Sequence, residues 1–215
     1  MKNRFKSSIG VFPAWLLIFS LVVSSAGCFR HRSSPGVTLL PSPSKNLQGI
    51  RTLCIFELQN NTTYPQISAD VTQSLFESIQ KLNLFDLSTL KNTEPAWKTL
   101  QISADSPGTL EQYLNARKML GVDSILVGTV TSYKPYPHMS MGLHLKLIDL
   151  RDGRIIWKME QVWDTADKTT AERIKKYFNQ QLRSDFSPLD EKLAILSPIN
   201  FIKFVTYDVA RTLEL

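Results

Sequence analysis

From Met139 to Leu147, the residues Met139, Met141, Leu143, Leu145 and Leu147 alternate with Ser140, Gly142, His144 and Lys146. A period of two puts every second side chain on one face, so this stretch is a strand with one face on a core and the other wetter. Residues 155–163 alternate again, with Ile155, Trp157, Met159 and Trp163 on one side. Between the two runs lies Arg151-Asp152-Gly153, and Asp-Gly is a strong short hairpin signal. The segment 123–133 ahead of them, DSILVGTVTSY, is rich in β-formers. Three consecutive strands therefore form a meander, and the rest of the chain must extend this sheet or pack on it.

Upstream, residues 50–58, IRTLCIFEL, contain a continuous apolar run of the kind found in a strand covered on both faces. Residues 59–65, QNNTTYP, read as a loop. An amphipathic helix is predicted over 66–82, with Ile67, Val71, Leu75 and Ile79 at four-residue spacing and Phe76 and Leu82 widening the stripe. Leu84-Phe85-Asp86-Leu87 is a short strand candidate. Residues 89–108 read as a long loop with room for one helical turn. Thr109 with Gln112 fits a capping box opening a helix to about Leu120, which Gly121 closes. After the meander, a helix over 167–183 turns Ala171, Ile174, Phe178 and Leu182 inward. Ser197-Pro198 supplies an N-cap and first-turn proline to a last helix carrying Ile202, Val205, Val209 and Leu213. The order β-α-β-α-β-β-β-α-α defines an α+β class: a mixed sheet with helices packed on it, expected on one face.

The chain begins differently. Lys2, Arg4 and Lys6 form a positive region, residues 11–23 (VFPAWLLIFSLVV) are uncharged and apolar, and Ser24-Ser25-Ala26-Gly27 leads to Cys28. That order is the order of a secretory signal peptide. The apolar run falls short of the about 20 residues that span a bilayer. Ala26-Gly27-Cys28 resembles the lipobox of bacterial lipoproteins, although Ser25 stands where that family has Leu, Val or Ile. The resemblance implies cleavage before Cys28, a diacylglyceryl group on its thiol and a possible third chain on the new amino terminus. Two acyl chains give stable anchoring where one does not. Phe29, rather than Asp, follows the cysteine, which by the same resemblance implies the outer membrane, facing the periplasm. The alternative is an ordinary secreted protein with a cysteine near the cut by chance.

Loss of residues 1–27 removes three of the positive charges, so the formal net charge of +6 falls to +3. That is no basis for nucleic-acid binding, and none is expected. Residues 28–48 are rich in Ser, Pro and basic residues and read as a tether below a single domain at 49–215. Arg30, His31 and Arg32 sit where they could meet anionic headgroups or simply be solvated. Cys54, the only other cysteine, lies in an apolar run and reads as a buried inert thiol.

Three segments carry a family resemblance. Leu120-Gly121-Val122-Asp123-Ser124-Ile125-Leu126-Val127-Gly128-Thr129-Val130 resembles the "helix, Gly, Ala/Val-Asp, strand, Gly-x-Val" segment of CsgG-like lipoproteins. Leu147-Ile148-Asp149 with Asp152-Gly153 and Ile155-Ile156-Trp157 resembles their hairpin, and Glu57 through Asn61-Thr62 resembles their first strand and its Asn-Thr loop. The group includes the curli-secretion pore subunit, PelC, LpoB and the N-terminal domain of TolB. What it implies is a related α/β fold without one shared activity. Each matched piece also has a local role: Gly121 ends a helix, Asp152-Gly153 turns a hairpin and Trp157 fills a core under the helices. No additional pair of alternating segments long enough for a membrane-spanning hairpin stands beyond the meander, so a curli-type channel is not expected.

No active-site pattern is present. His31, His138 and His144 have no Cys, Asp or Glu partner at metal-ligand spacing, and there is no G-x-S-x-G or Gly-rich phosphate loop. No catalytic residue, metal or cofactor is expected. Asp149 and Asp152 flank a turn and read as hairpin residues. The run Lys168, Arg173, Lys175, Lys176 and Arg183 reads as a solvated helix face or a contact with anionic lipid or glycan. The candidate partner surface is Tyr133, Lys134, Tyr136 and His138, where prolines stiffen a loop and tyrosines offer contact area. The same loop is equally consistent with ordinary aromatic packing. The expected function is a non-enzymatic, membrane-anchored periplasmic component that binds an envelope protein in assembly, export or wall synthesis. The alternative is an oligomeric ring or pore subunit, so a homo-oligomer stays open.

Overall fold

The computed structural model describes residues 47, 49–181 and 197–214. The signal segment, Cys28, Phe29, the tether up to residue 46, Leu182 and Arg183 lie outside the described residues. Six strands form one mixed sheet: β1 (Thr52–Phe56), β2 (Gln59–Asn60), β3 (Asp86–Leu90), β4 (Ser124–Lys134), β5 (Ser140–Asp149) and β6 (Ile155–Asp164). Their order is β3-β1-β4-β5-β6, with β2 beside β4. β1 runs parallel to β3 and β4, while β4, β5 and β6 form the antiparallel meander. Among the described residues there are five helices: α1 (Ile67–Gln80), α2 (Pro95–Leu100), α3 (Leu110–Leu120), α4 (Lys168–Gln181) and α5 (Pro198–Arg211).

This is the predicted α+β order with two short additions. β2 forms inside the segment read as a loop, where Gln59 and Asn60 pair with Thr129 and Val130. α2 is a six-residue helix inside the second long loop. β3 lies later than the predicted 84–87, because its limits come from parallel pairing with β1: Asp86 stands opposite Thr52, and its amide donates to Arg51 O at 2.8 Å. Leu84 is left exposed.

Side-chain alternation divides the interior into two clusters. Leu53 and Ile55 of β1, Leu126 and Val130 of β4, Leu143, Leu145 and Leu147 of β5, and Trp157, Met159 and Trp163 of β6 meet α1, α4 and α5 on one face. Cys54, Phe56, Ile125, Val127 and Ile148 meet Leu100, Tyr113 and Ala116 of α2 and α3 on the other. Helices therefore cover both faces rather than one. The reason is visible in β1, whose four consecutive buried residues Leu53 to Phe56 leave no face for water.

The helices follow their stripes. Ile67, Val71, Leu75 and Ile79 are buried in α1, as are Ile202, Val205, Val209 and Leu213 at α5, joined by Phe201 and Phe204. Thr109 Oγ1 accepts the Gln112 amide while Gln112 Oε1 accepts the Thr109 amide, closing the capping box of α3. Gly121 ends that helix at φ +67°, a conformation other residues rarely adopt. Ser197 holds the N-cap position of α5 with an extended backbone, but its side chain makes no capping hydrogen bond. In α4, Ile174 and Phe178 are buried, but Ala171 is exposed and Thr170 is buried instead. Asp167 explains the shift, since its carboxylate accepts both the amide and the hydroxyl of Thr170 at 2.9 and 3.0 Å.

Met139, just before β5, and Met141, Leu143, Leu145 and Leu147 within it are all buried. On β6, Trp157, Met159 and Trp163 are buried, but Ile155 is 45% exposed. The register slips between Leu147 and Ile148: Leu147 stands opposite Trp157 and Ile148 opposite Ile155, so Ile156 is an extra residue. That bulge puts Ile155 out of phase with the strand after it.

Candidate interaction surface

The loop between β4 and β5 is anchored from below and open above. Met139 at its end is buried, and its carbonyl accepts the Thr165 amide at 2.9 Å. Tyr133, near the end of β4, is half-buried and packs edge-on against Tyr64, with centroids 5.1 Å apart and planes at 85°. Burial raises the Tyr133 phenol above its usual pKa. Lys134, Tyr136, Pro137 and His138 are exposed, and Tyr136 at 84% is the most exposed large hydrophobic side chain among the described residues. The Tyr136–Pro137 peptide is cis.

Tyr64 comes from the loop after β2, and one asparagine shapes that loop. Asn60 Nδ2 donates to Tyr64 O at 2.7 Å, while Asn60 Oδ1 accepts the amide and hydroxyl of Thr62 at 2.9 and 2.8 Å. Thr62 Oγ1 in turn accepts the Tyr64 amide at 3.1 Å. The candidate surface therefore combines two loops: Tyr64, itself 41% exposed, packs on the half-buried Tyr133, and Lys134, Tyr136 and His138 are exposed beside them. The sequence singles out Tyr133, Lys134, Tyr136 and His138 as the candidate surface; Tyr64 joins them in space only through its long-range packing on Tyr133. The available signal was its place in the Asn-Thr loop.

The other singled-out residues sit elsewhere. His144 faces Asp105, with Nδ1 3.3 Å from Oδ1, and Asp105 also accepts the Thr129 hydroxyl at 3.1 Å. Lys146 donates to Ala104 O, and Ser103 donates to Gln59 Oε1 at 3.0 Å. These bonds fasten the segment before α3 across the sheet; His144 Nε2 is buried without a hydrogen-bond partner. Asp149 and Asp152 each pair with a neighbouring arginine of the turn, Asp149 with Arg151 and Asp152 with Arg154. Among the described residues no group of three or more His, Cys, Asp or Glu is placed to hold a metal ion. Lys168, Lys175 and Lys176 are exposed on α4, whereas Arg173 pairs with Asp208. Burial raises the Cys54 thiol, which suits an unreactive core residue.

What these elements define is an open mixed-sheet α+β domain with an aromatic loop at one end of its meander. No protein-family profile matches the chain, and no curated protein does. Solved structures do. The chain is similar to the PelC dodecamer from Paraburkholderia phytofirmans at 12% identity, over 60% of this chain and 80% of that one, with a TM-score of 0.44. It is similar to lipoprotein GNA1162 from Neisseria meningitidis at 15% identity, over 62% and 99% of the two chains, with a TM-score of 0.43. It is also similar to the LpoB C-terminal domain from Salmonella enterica at 20% identity, over 57% and 92%, with a TM-score of 0.40. PelC and LpoB are two members of the group that the sequence motifs resemble. These likenesses are partial, and the fold stands on the strand order and burial given above.

Proposed function

We propose that this chain is a lipid-anchored protein of the bacterial cell envelope that binds a protein partner without catalysing a reaction. Export and anchoring follow from the charged start, the apolar run and the Ala26-Gly27-Cys28 junction; Phe29 favours the outer membrane. The Ser/Pro-rich tether then gives the domain reach from the membrane surface. Partner binding rests on one observation above all: Tyr136 stands 84% exposed on a loop whose base is fixed by Met139 and the Tyr64–Tyr133 pair. Tyrosine offers large contact area with few torsions to freeze, so such a side chain gains from being covered.

The test is photo-crosslinking in living cells from position 134, with position 118 on α3 as the control. The proposal expects one recurring adduct with an envelope protein from 134, absent from 118 and lost on Tyr136→Ala. No adduct from 134, 136 or 138, or an adduct pattern indifferent to Tyr136→Ala, contradicts it.

A further inference from the structure

Among the described residues, no strand pairs with the outer side of β6. Beyond the bulge at Ile156 the strand contains no proline and keeps an unbroken register from Trp157 to Asp164. Open edges are usually kept short, bulged, charged or covered. The Thr165 amide donates to Met139 O. Amide direction alternates along a strand, so from Trp157 onward the odd-numbered residues turn theirs toward β5, and Lys158, Glu160 and Val162 turn theirs to the open edge. The side chains of these three also lie on the face that α2 and α3 leave uncovered here, since that cluster takes in no β6 residue, whereas Ile156, at the bulge, packs with the opposite cluster. Glu160 is exposed there and Val162 is 43% exposed.

We propose that β6 is a self-recognition edge: two copies of this chain join as a two-fold dimer by antiparallel β6–β6 pairing centred on Met159. The register is set by charge. Centred on Met159, Lys158 faces Glu160 of the second copy and Glu160 faces its Lys158, each pair exchanging both backbone bonds. Centred one residue earlier, two lysines oppose each other; one residue later, two glutamates do. Centred on Gln161, Lys158 faces Asp164 instead, but Glu160 falls against Val162 and is left without an opposite charge. The existing sheet also favours an acid in the Lys158 row, because the neighbour of Lys158 on β5 is another lysine, Lys146. Like charges directly opposite destabilise a ladder, and opposite charges support it.

Native mass spectrometry of the full-length mature protein in non-ionic detergent tests this. The wild type is expected at the mass of two protomers. Lys158→Glu and Glu160→Lys each create two like-charge pairs and are expected to weaken the dimer roughly tenfold or more. The combined Lys158→Glu/Glu160→Lys variant restores opposite charges and the dimer. Glu160→Gln, a neutral change of the same shape, gives intermediate weakening. Tyr136→Ala leaves the dimer intact, which separates this surface from the partner loop. A wild type at any other mass, single variants that stay dimeric, or a charge swap that stays monomeric with unchanged far-ultraviolet circular dichroism would overturn the proposal.

Discussion

The Asp123 carboxylate accepts the backbone amide of Arg51 at 3.1 Å, tying the residue before β4 to the residue before β1 across 72 positions of chain. The Asp123 amide donates in return to Thr52 Oγ1 at 2.8 Å, and Ser124 Oγ donates to Thr52 O at 3.2 Å. The Val-Asp pair of the family-like segment thus closes the start of the parallel β1–β4 ladder. Asp123→Ala removes that closure and returns the exposed Arg51 amide to water. It is expected to cost about 1 kcal/mol, read by urea denaturation.

Acid should expose the same bond. The Asp123 carboxyl is held below its ordinary value of 3.8, first by the Arg51 amide. Asp149 is held below the same value, first by the Arg151 side chain. A carboxyl depressed in the folded state contributes stability that is present above its ordinary value and lost as pH falls through its folded value. Stability is therefore expected to decline as pH drops below the ordinary carboxylate range. Asp149→Asn should flatten that decline, measured as the denaturation midpoint against pH.

Asp208 joins three elements. Its Oδ2 accepts Trp163 Nε1 from β6 at 2.8 Å and pairs with Arg173 from α4, while Asp208 itself sits on α5. Asp208→Ala strands the indole N–H of a buried tryptophan, at an expected cost of about 1–3 kcal/mol. Tryptophan fluorescence should shift in the folded state as well, because the ring loses its charged neighbour.

Gly128 is in the chain for space. A Cβ there would lie 2.8 Å from His144 O and 2.3 Å from Leu145 Cδ2. The leucine can turn aside, but the carbonyl belongs to the β4–β5 ladder. Gly128→Ala is expected to destabilise by about 1–3 kcal/mol in thermal unfolding, as overpacking in a tight core does.

Much of this architecture is legible in the sequence because its signals are local. Met139 through Leu147 announce β5 by alternation, since one face is covered and the other is wetter. Thr109, Gln112 and Gly121 mark both ends of α3 through bonds closed within a few residues. What the sequence does not display depends on pairing between distant segments. The exposure of Ile155 follows from a bulge, which exists only relative to β5. The position of β3 follows from its register against β1. The second helical layer is harder to read because α3 buries only Tyr113 and Ala116 outright, too few for a clear stripe. The candidate surface divides the same way: Tyr136 stands out by its proline-flanked loop, whereas Tyr64 becomes part of it only by meeting Tyr133.

Intact-mass and peptide mass spectrometry of the mature amino terminus tests the proposed lipid anchor on Cys28 most directly. A chain that starts at Cys28, with a diacylglyceryl thioether on its sulfur, is expected. A chain that starts elsewhere, or an unmodified Cys28, would contradict it.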